Sequence, residues 1–523
     1  MSRLKRSVIS VFVSIIMICS LLVVPMPTVK AATGLPPRIT GMCPDSPFGL
    51  GFRTEDADQD HNRQVARDLG VKWVRGAKYC MINDFIGKDS TSAARNEVNL
   101  WHNSGVRVMP SLFYPDEYFR IPGRISPPRD FNEYANTCYN MVNALQDLEP
   151  TFEHWNEPWI NEWAWPGGTA QEYRDMIKLI WDKVKANYPN VDLVGGGSTP
   201  FNRDILYAKN STNTGYADGS ISHAYGVPTA SQYGNTAIQC YLDKNFSRTN
   251  GRSGAWQTEL GVQEGDFASN NSTWVARCIA PDYLLHMAAA NYANQPVKVF
   301  WFAYSVNGFS GSEYNIYGKP AMTAYSTMTR VLEGTKMVET LYNNSKGMWG
   351  FLFRNDFSTD NRARAAIYVD ADYFDSGTNP TDTYRGTMSI SGSGLEAYDY
   401  MGNRIDDLNS IPLEPLQTVY ILGDMTPDAL KTILNNADFR INTEIKVSPL
   451  SFDGQVVSGR TLDVQVENVV NEPRTATLTL TPPSGWTLSN NSASINNLQP
   501  GEKRIIKFPV SSYSVSSNNR YTV

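Results

Sequence analysis

Two glutamates are placed where paired acid and base chemistry is possible. Glu157 lies in His154-Trp155-Asn156-Glu157-Pro158, and Glu259 lies in Trp256-Gln257-Thr258-Glu259-Leu260-Gly261. Each follows or interrupts a short apolar run that reads as a strand. Two carboxyl groups flanking one pocket can cleave a glycosidic bond: one protonates the leaving oxygen, and the other attacks the anomeric carbon or activates water. A protonated and an ionised carboxyl can share one pocket, because each disfavours ionisation of the other.

For the glutamates to meet, the chain must bring two distant strand ends together. From Phe48 to about Gly334, apolar runs alternate with amphipathic stretches. Strands are predicted over Phe48–Phe52, Val71–Val74, Val106–Phe113, Thr151–Trp155, Val191–Val194, Ile221–Tyr225, Ala255–Leu260 and Val297–Ala303. Helices are predicted over His61–Leu69, Ala94–Trp101, Asn132–Leu145, Gln171–Ala186, Thr273–Tyr292 and Ala321–Leu332. Such alternation implies a parallel sheet. Eight such strands over about 290 residues fit an α/β fold of the (β/α)8, or TIM barrel, type better than an open sheet. Active sites of these barrels lie at the C-terminal strand ends. Glu157 then ends strand four and Glu259 ends strand seven.

The placement of Trp155-Asn156-Glu157-Pro158 on strand four, with Glu259 on strand seven, resembles the retaining glycoside hydrolases of clan A. Within the clan it is most similar to family 39 and its neighbours. The resemblance spans about residues 45 to 335. It implies that Glu157 is the general acid/base, that Glu259 is the nucleophile, and that Asn156 contacts the sugar's 2-hydroxyl. It also implies substrate-site roles for Arg75, His223, Tyr225 and Trp301, which end strands two, six, six and eight. Arg75 would keep Glu259 ionised, Tyr225 would donate to it, and Trp301 would floor a sugar ring. Each has a structural alternative, an ion pair for Arg75 and core packing for the others. Trp155, Trp159, Trp163 and Trp165 fall within eleven positions. They read either as sugar-stacking faces, Trp159 among them, or as a cluster packing the loop onto the barrel.

Several other patterns carry little. Asp56, Asp58 and Asp60 alternate as in a calcium loop, but Arg67 stands where the twelfth ligand belongs. Capping of the next helix is the expected role. His154 and Glu157 form HxxE without a second histidine at zinc spacing. Gly195-Gly196-Gly197 lacks the dinucleotide-binding spacing and reads as a loop. No GxSxG is present. The chemistry needs no metal or organic cofactor.

After Thr335 the pattern changes to short strand-like runs separated by turn residues, expected as a β-sandwich over 336–424. A linker is expected over 425–443, with a helix at Thr426–Asn435, and an immunoglobulin-like β module over 444–523. That module stops one strand short, as a fragment of a longer chain would. At the other end, Arg3, Lys5 and Arg6 precede an apolar run to Val24 and small residues at Ala31 and Ala32. This pattern predicts a signal peptide over 1–31, a catalytic barrel over 32–335, and an exported protein with no membrane partner after cleavage. A membrane anchor is the alternative.

The 523 residues hold 46 Lys and Arg against 52 Asp and Glu, a formal charge of −6. Removing the four basic residues of the first 31 leaves 42 against 52, or −10. That balance argues against a nucleic-acid partner. Five cysteines remain after the signal, Cys43, Cys80, Cys138, Cys240 and Cys278, an odd number that leaves one without an intramolecular partner. The resulting expectation is a secreted retaining β-glycosidase with a carbohydrate substrate. A non-catalytic carbohydrate-binding or cell-surface protein and an inverting or substrate-assisted hydrolase are the rivals. The sugar, the linkage and the oligomeric state are left open.

Overall fold

A computed structural model describes residues 34–52, 59–158, 160, 162–198, 216–228, 253–267, 271–304, 314–343, 348–357, 359–371, 385–441, 445–450, 460–468, 473–482, 485–499 and 501–514. The predicted signal peptide, Asp56, Asp58, Trp159 and Cys240 lie outside the described residues. Among those described, no helix is long and apolar enough to cross a membrane.

Eight parallel strands form one sheet: β1 (Phe48–Leu50), β2 (Trp73–Arg75), β3 (Arg107–Met109), β4 (Thr151–Glu153), β5 (Asp192–Ser198), β6 (Gly219–Tyr225), β7 (Gly254–Gly261) and β8 (Val297–Trp301). Their order is β3-β2-β1-β8-β7-β6-β5-β4. The ends of that order meet through a parallel bridge from Ser111 to Glu153, with Leu112 N–H donating to Glu153 O at 2.8 Å. The sheet is therefore closed, and the (β/α)8 expectation holds.

Helices α1 (Gln59–Leu69), α2 (Thr91–Asn103), α3 (Phe131–Leu145), α4 (Ala170–Lys185), α5 (Ser272–Ala293) and α6 (Pro320–Leu332) belong to the barrel. Their starts follow capping chemistry. Asp130 accepts from the backbone N–H groups of Asn132 and Glu133 ahead of α3. Thr169 and Glu172 form a capping box on α4. The barrel interior packs Trp73, Met109, Val194, Ile221, Trp256 and Phe300. Gly49 is needed opposite them, because a Cβ there would come within 2.5 Å of the Phe300 ring.

The Gly195-Gly196-Gly197 run corrects one expectation. It belongs to β5, not to a loop. A Cβ at Gly195 would sit 2.7 Å from the buried His154 ring, so the glycine lets that ring lie against the strand.

Beyond the barrel lies a six-stranded antiparallel sheet. It contains β9 (Thr335–Asn343), β10 (Met348–Asn355), β11 (Ala363–Val369), β13 (Leu395–Tyr398), β14 (Arg404–Ile405) and β16 (Val419–Gly423). A three-stranded sheet faces it, formed by β12 (Gly386–Ser389), β15 (Ile411–Leu413) and β17 (Asp438–Ile441). Met348, Leu352, Ile367, Met388, Ile411 and Leu430 share their core. Helix α7 (Pro427–Asn435) supplies Leu430 and Leu434 to it. Of the expected linker over 425–443, residues 425–441 are thus part of the sandwich, since β17 pairs with β12 from Gly386↔Ile441 to Ser389↔Asp438.

The last module contains β18 (Ile445–Pro449), β19 (Thr461–Asn468), β20 (Arg474–Thr479), β21 (Thr487–Leu488), β22 (Ser492–Leu498) and β23 (Lys503–Ser512). They form sheets of order β18-β19-β23-β21 and β20-β22. The alternating burial along β19 matches its apolar-polar alternation.

Candidate active site

Four strands deliver the site. β4 leads to Glu157, β7 carries Glu259, β2 ends on Arg75, and β6 carries His223 and Tyr225. The register between β6 and β7 sets His223 beside Glu259 and Tyr225 beside Gly261. All four side-chain sources lie at C-terminal strand ends, so the predicted glutamate pair meets at one rim. Glu157 adopts φ +49° immediately before Pro158. Left-handed backbone at a non-glycine residue costs about 1–3 kcal/mol and concentrates at functional sites.

Glu259 is bound at both oxygens. Arg75 donates from one terminal nitrogen to Oε1, and the Tyr225 hydroxyl donates to Oε2 at 2.6 Å. Burial pushes the Glu259 carboxyl up, but the neighbouring His223 and Arg75 and these two hydrogen bonds outweigh it. They hold the carboxyl below its ordinary value. His223 Nδ1 lies 2.8 Å from Glu157 Oε1 and 3.5 Å from Glu259 Oε2. One side-chain oxygen or nitrogen from each of Glu157, His223 and Glu259 lies within 4.8 Å of the other two. A cation at that point would compete with Arg75 and Tyr225 for Glu259. The set therefore suits proton transfer better than metal binding.

Behind this first group stands Glu153, a completely buried carboxylate on β4. It receives Arg75 Nε at 2.6 Å and a terminal nitrogen of Arg75 at 2.8 Å. The same guanidinium donates to Asn156 Oδ1 at 2.6 Å. Asn156 Nδ2 in turn donates to the Tyr114 hydroxyl at 2.7 Å. Arg75 thus spans Glu153, Asn156 and Glu259. The two neighbouring carboxylates overcome burial and raise the Arg75 guanidinium further above its ordinary value.

The aromatic expectations divide. Trp155 and Trp165 are buried and meet edge to face at 5.1 Å, with Tyr114, Tyr134 and Tyr173 around them. They pack the loop onto the barrel. Trp163 is 42% exposed and lies 6.2 Å from Tyr114, so it keeps a face for a ligand. Trp301 does not floor the site. Its ring has no exposed surface, and its indole N–H donates to the Tyr314 carbonyl at 3.2 Å.

Sequence reasoning missed Glu153, Thr258 and Tyr114. For Glu153 a signal existed: it alternates with Phe152 and His154, so a strand that buries Phe152 outward aims Glu153 into the barrel. Nothing local marks Tyr114, whose backbone lies at φ +59°. Among the calcium-like aspartates, Asp60 is described and pairs with Arg63 at 2.6 Å.

No protein-family model and no curated protein sequence matches the chain. Solved structures do share its fold. A family 39 glycoside hydrolase from the gut symbiont Bacteroides cellulosilyticus WH2 superposes with TM-score 0.56 at 16% identity, over 75% of this chain and 83% of that one. A monomeric beta-xylosidase from Caulobacter crescentus CB15 superposes with TM-score 0.50 at 13% identity, over 76% of this chain and 99% of that one. The chain therefore has the barrel-and-β-domain fold of these glycoside hydrolase structures, in agreement with the resemblance read from Trp155-Asn156-Glu157-Pro158 and Glu259.

Proposed function

We propose that the chain is a secreted retaining β-glycosidase acting on a poly- or oligosaccharide by double displacement. The observation that carries the reading is the meeting of Glu157 and Glu259 at one rim, with carboxylate and imidazole atoms within 4.8 Å. Retaining enzymes hold their carboxyl groups about 5–5.5 Å apart, whereas inverting enzymes leave about 6.5–9.5 Å for a water.

In the first half, the Glu259 carboxylate attacks the anomeric carbon and the glycosidic C–O bond breaks. Glu157 gives its proton to the departing oxygen. In the second half, water attacks the same carbon, its proton goes to Glu157, and the ester bond to Glu259 breaks. Arg75 and Tyr225 keep Glu259 ionised and aimed. Asn156 is held by Arg75 and Tyr114, which suits it to a sugar hydroxyl. Trp163 offers an apolar face to a ring further out.

The test is chemical rescue. Aryl β-glycosides, with xylosides first because one structural neighbour is named a beta-xylosidase, give the wild-type rate. Glu259→Ala should lower turnover by about 10⁴-fold or more. Azide should restore turnover of the variant and yield a glycosyl azide of inverted configuration. A variant that stays active, or a wild type that inverts the anomer by NMR, would remove the retaining mechanism. Signal cleavage is checked by N-terminal sequencing of the protein recovered from culture medium.

A further inference from the structure

The two-carboxylate mechanism leaves the buried group behind it unexplained. Glu153 takes the Arg75 fork on both oxygens and is the acceptor in each of these bonds. Thr258 Oγ1 lies 3.3 Å from Glu153 Oε1 and 2.9 Å from His223 Nε2. A hydroxyl has one proton to give. When Thr258 gives it to Glu153, its lone pairs are left to accept from His223 Nε2–H. A neutral imidazole protonated at Nε2 presents a lone pair at Nδ1. That lone pair faces Glu157 Oε1 at 2.8 Å.

We propose that Glu153 and Thr258 are positioning residues that fix His223 as its Nε2–H tautomer, so that Glu157 and His223 hold one proton between them. The consequence for the reaction rests on the glycosidase reading; the tautomer does not. Glu157 either keeps the proton and donates it to Nδ1, or accepts from an imidazolium. When Glu157 has given its proton to the leaving oxygen, the pair has lost that one proton. The water of the second half returns it, and no net proton is consumed.

His223 faces Glu157 after β4 and Glu259 and Thr258 on β7. Beyond them stand Arg75 on β2, Glu153 on β4, Tyr225 on β6 and Tyr114 after β3. Glu153 and Glu259 outnumber the Arg75 charge, which leaves a negative setting around the shared proton.

Thr258→Val keeps the shape and removes the hydroxyl. Without its acceptor at Nε2, neutral His223 can move its hydrogen to Nδ1 and donate to ionised Glu157. Glu157 then loses its proton more readily. The basic limb of kcat/KM should move down by about one pH unit, the acid limb should stay, and Thr258→Ser should restore the wild-type profile. An unmoved basic limb in Thr258→Val, or an equal shift in Thr258→Ser, overturns the proposal.

A second measurement needs no activity. Long-range ¹⁵N–¹H correlation of the full chain with ¹⁵N-histidine reports five rings, and His223→Gln identifies the signal. The wild type should show the Nε2–H or imidazolium pattern. A neutral Nδ1–H pattern overturns the proposal whatever the substrate proves to be. An Nε2–H pattern in a chain that cleaves no glycoside keeps the tautomer and removes the glycosidase reading.

Discussion

The two ends of the barrel both bury charge, and they treat it differently. At the C-terminal rim, Glu157, Glu259 and Arg75 keep about a tenth of their side-chain surface open, and carboxylates outnumber cations. At the N-terminal rim the charges are spent on the fold. Glu149 is completely buried and takes His102 at 2.5 Å, Arg107 at 3.2 Å and the Val108 N–H at 2.8 Å. Asp218 takes Lys185 at 2.7 Å and the Leu193 N–H at 2.9 Å. Lys72 donates to the Ile39 and Gly41 carbonyls at 2.7 Å each. One end leaves its acidic and basic groups partly open; the other ties loop to strand. The first arrangement suits chemistry and the second suits stability.

Substitutions at the two ends can break the contrast. Arg75→Met should have the largest effect, because it strips a cation from two buried carboxylates. Stability should fall by about 3–5 kcal/mol in urea unfolding. Burial would then raise Glu259 unopposed by Arg75, so the acid limb of activity should move to higher pH. The sign follows from linkage: the depressed Glu259 value contributes stability at neutral pH and loses it as pH falls through that value. Retained stability and an unchanged acid limb would dissolve the distinction between the rims.

Glu149→Gln probes the opposite end. It should cost about 2–3 kcal/mol by the same unfolding measurement while kcat/KM at 25 °C stays within twofold. A large loss of activity in a folded variant would show that the N-terminal rim reaches the site.

Lys298 gives a gain rather than a loss. It is buried at the start of β8 over the Trp73 ring, and burial lowers its ammonium to about 8. The unfolded chain binds this proton more tightly, so stability should rise with pH between about 8 and 10.5. Lys298→Met should abolish that rise and stabilise the protein by about 1–2 kcal/mol at pH 7, read as a higher Tm. A lower Tm would mean that the cation holds Trp73 in place.

Trp163→Ala should have the smallest effect. The ring is exposed, so Tm should barely move. Loss of one stacking face should raise KM by about two- to tenfold on an oligosaccharide and leave kcat nearly unchanged. Equal KM values would assign Trp163 to the loop alone.

Much of this was readable in the chain. The alternation of apolar runs and amphipathic stretches located all eight barrel strands, because period 2 and period 3.6 burial leave different marks. Glu157 and Glu259 were visible because both lie at strand ends. Strands β9, β14, β15, β17, β21 and β22 were not recognised, since edge strands such as Thr335–Asn343 and Asp438–Ile441 carry polar residues at many positions. Trp301 misled because aromatic identity at a strand end does not say whether the ring opens to solvent or is buried with its N–H on a backbone carbonyl.

By itself, the sequence determined the barrel, the order of its parts and the two glutamates, since these depend on local periodicity and residue type. Only the tertiary structure decided that Arg75 bridges Glu153, Asn156 and Glu259, and that Thr258 connects His223 to Glu153. Those contacts join positions as much as 184 residues apart. Their directions depend on which oxygen or nitrogen faces which partner across the closed barrel, and no spacing along the chain encodes that.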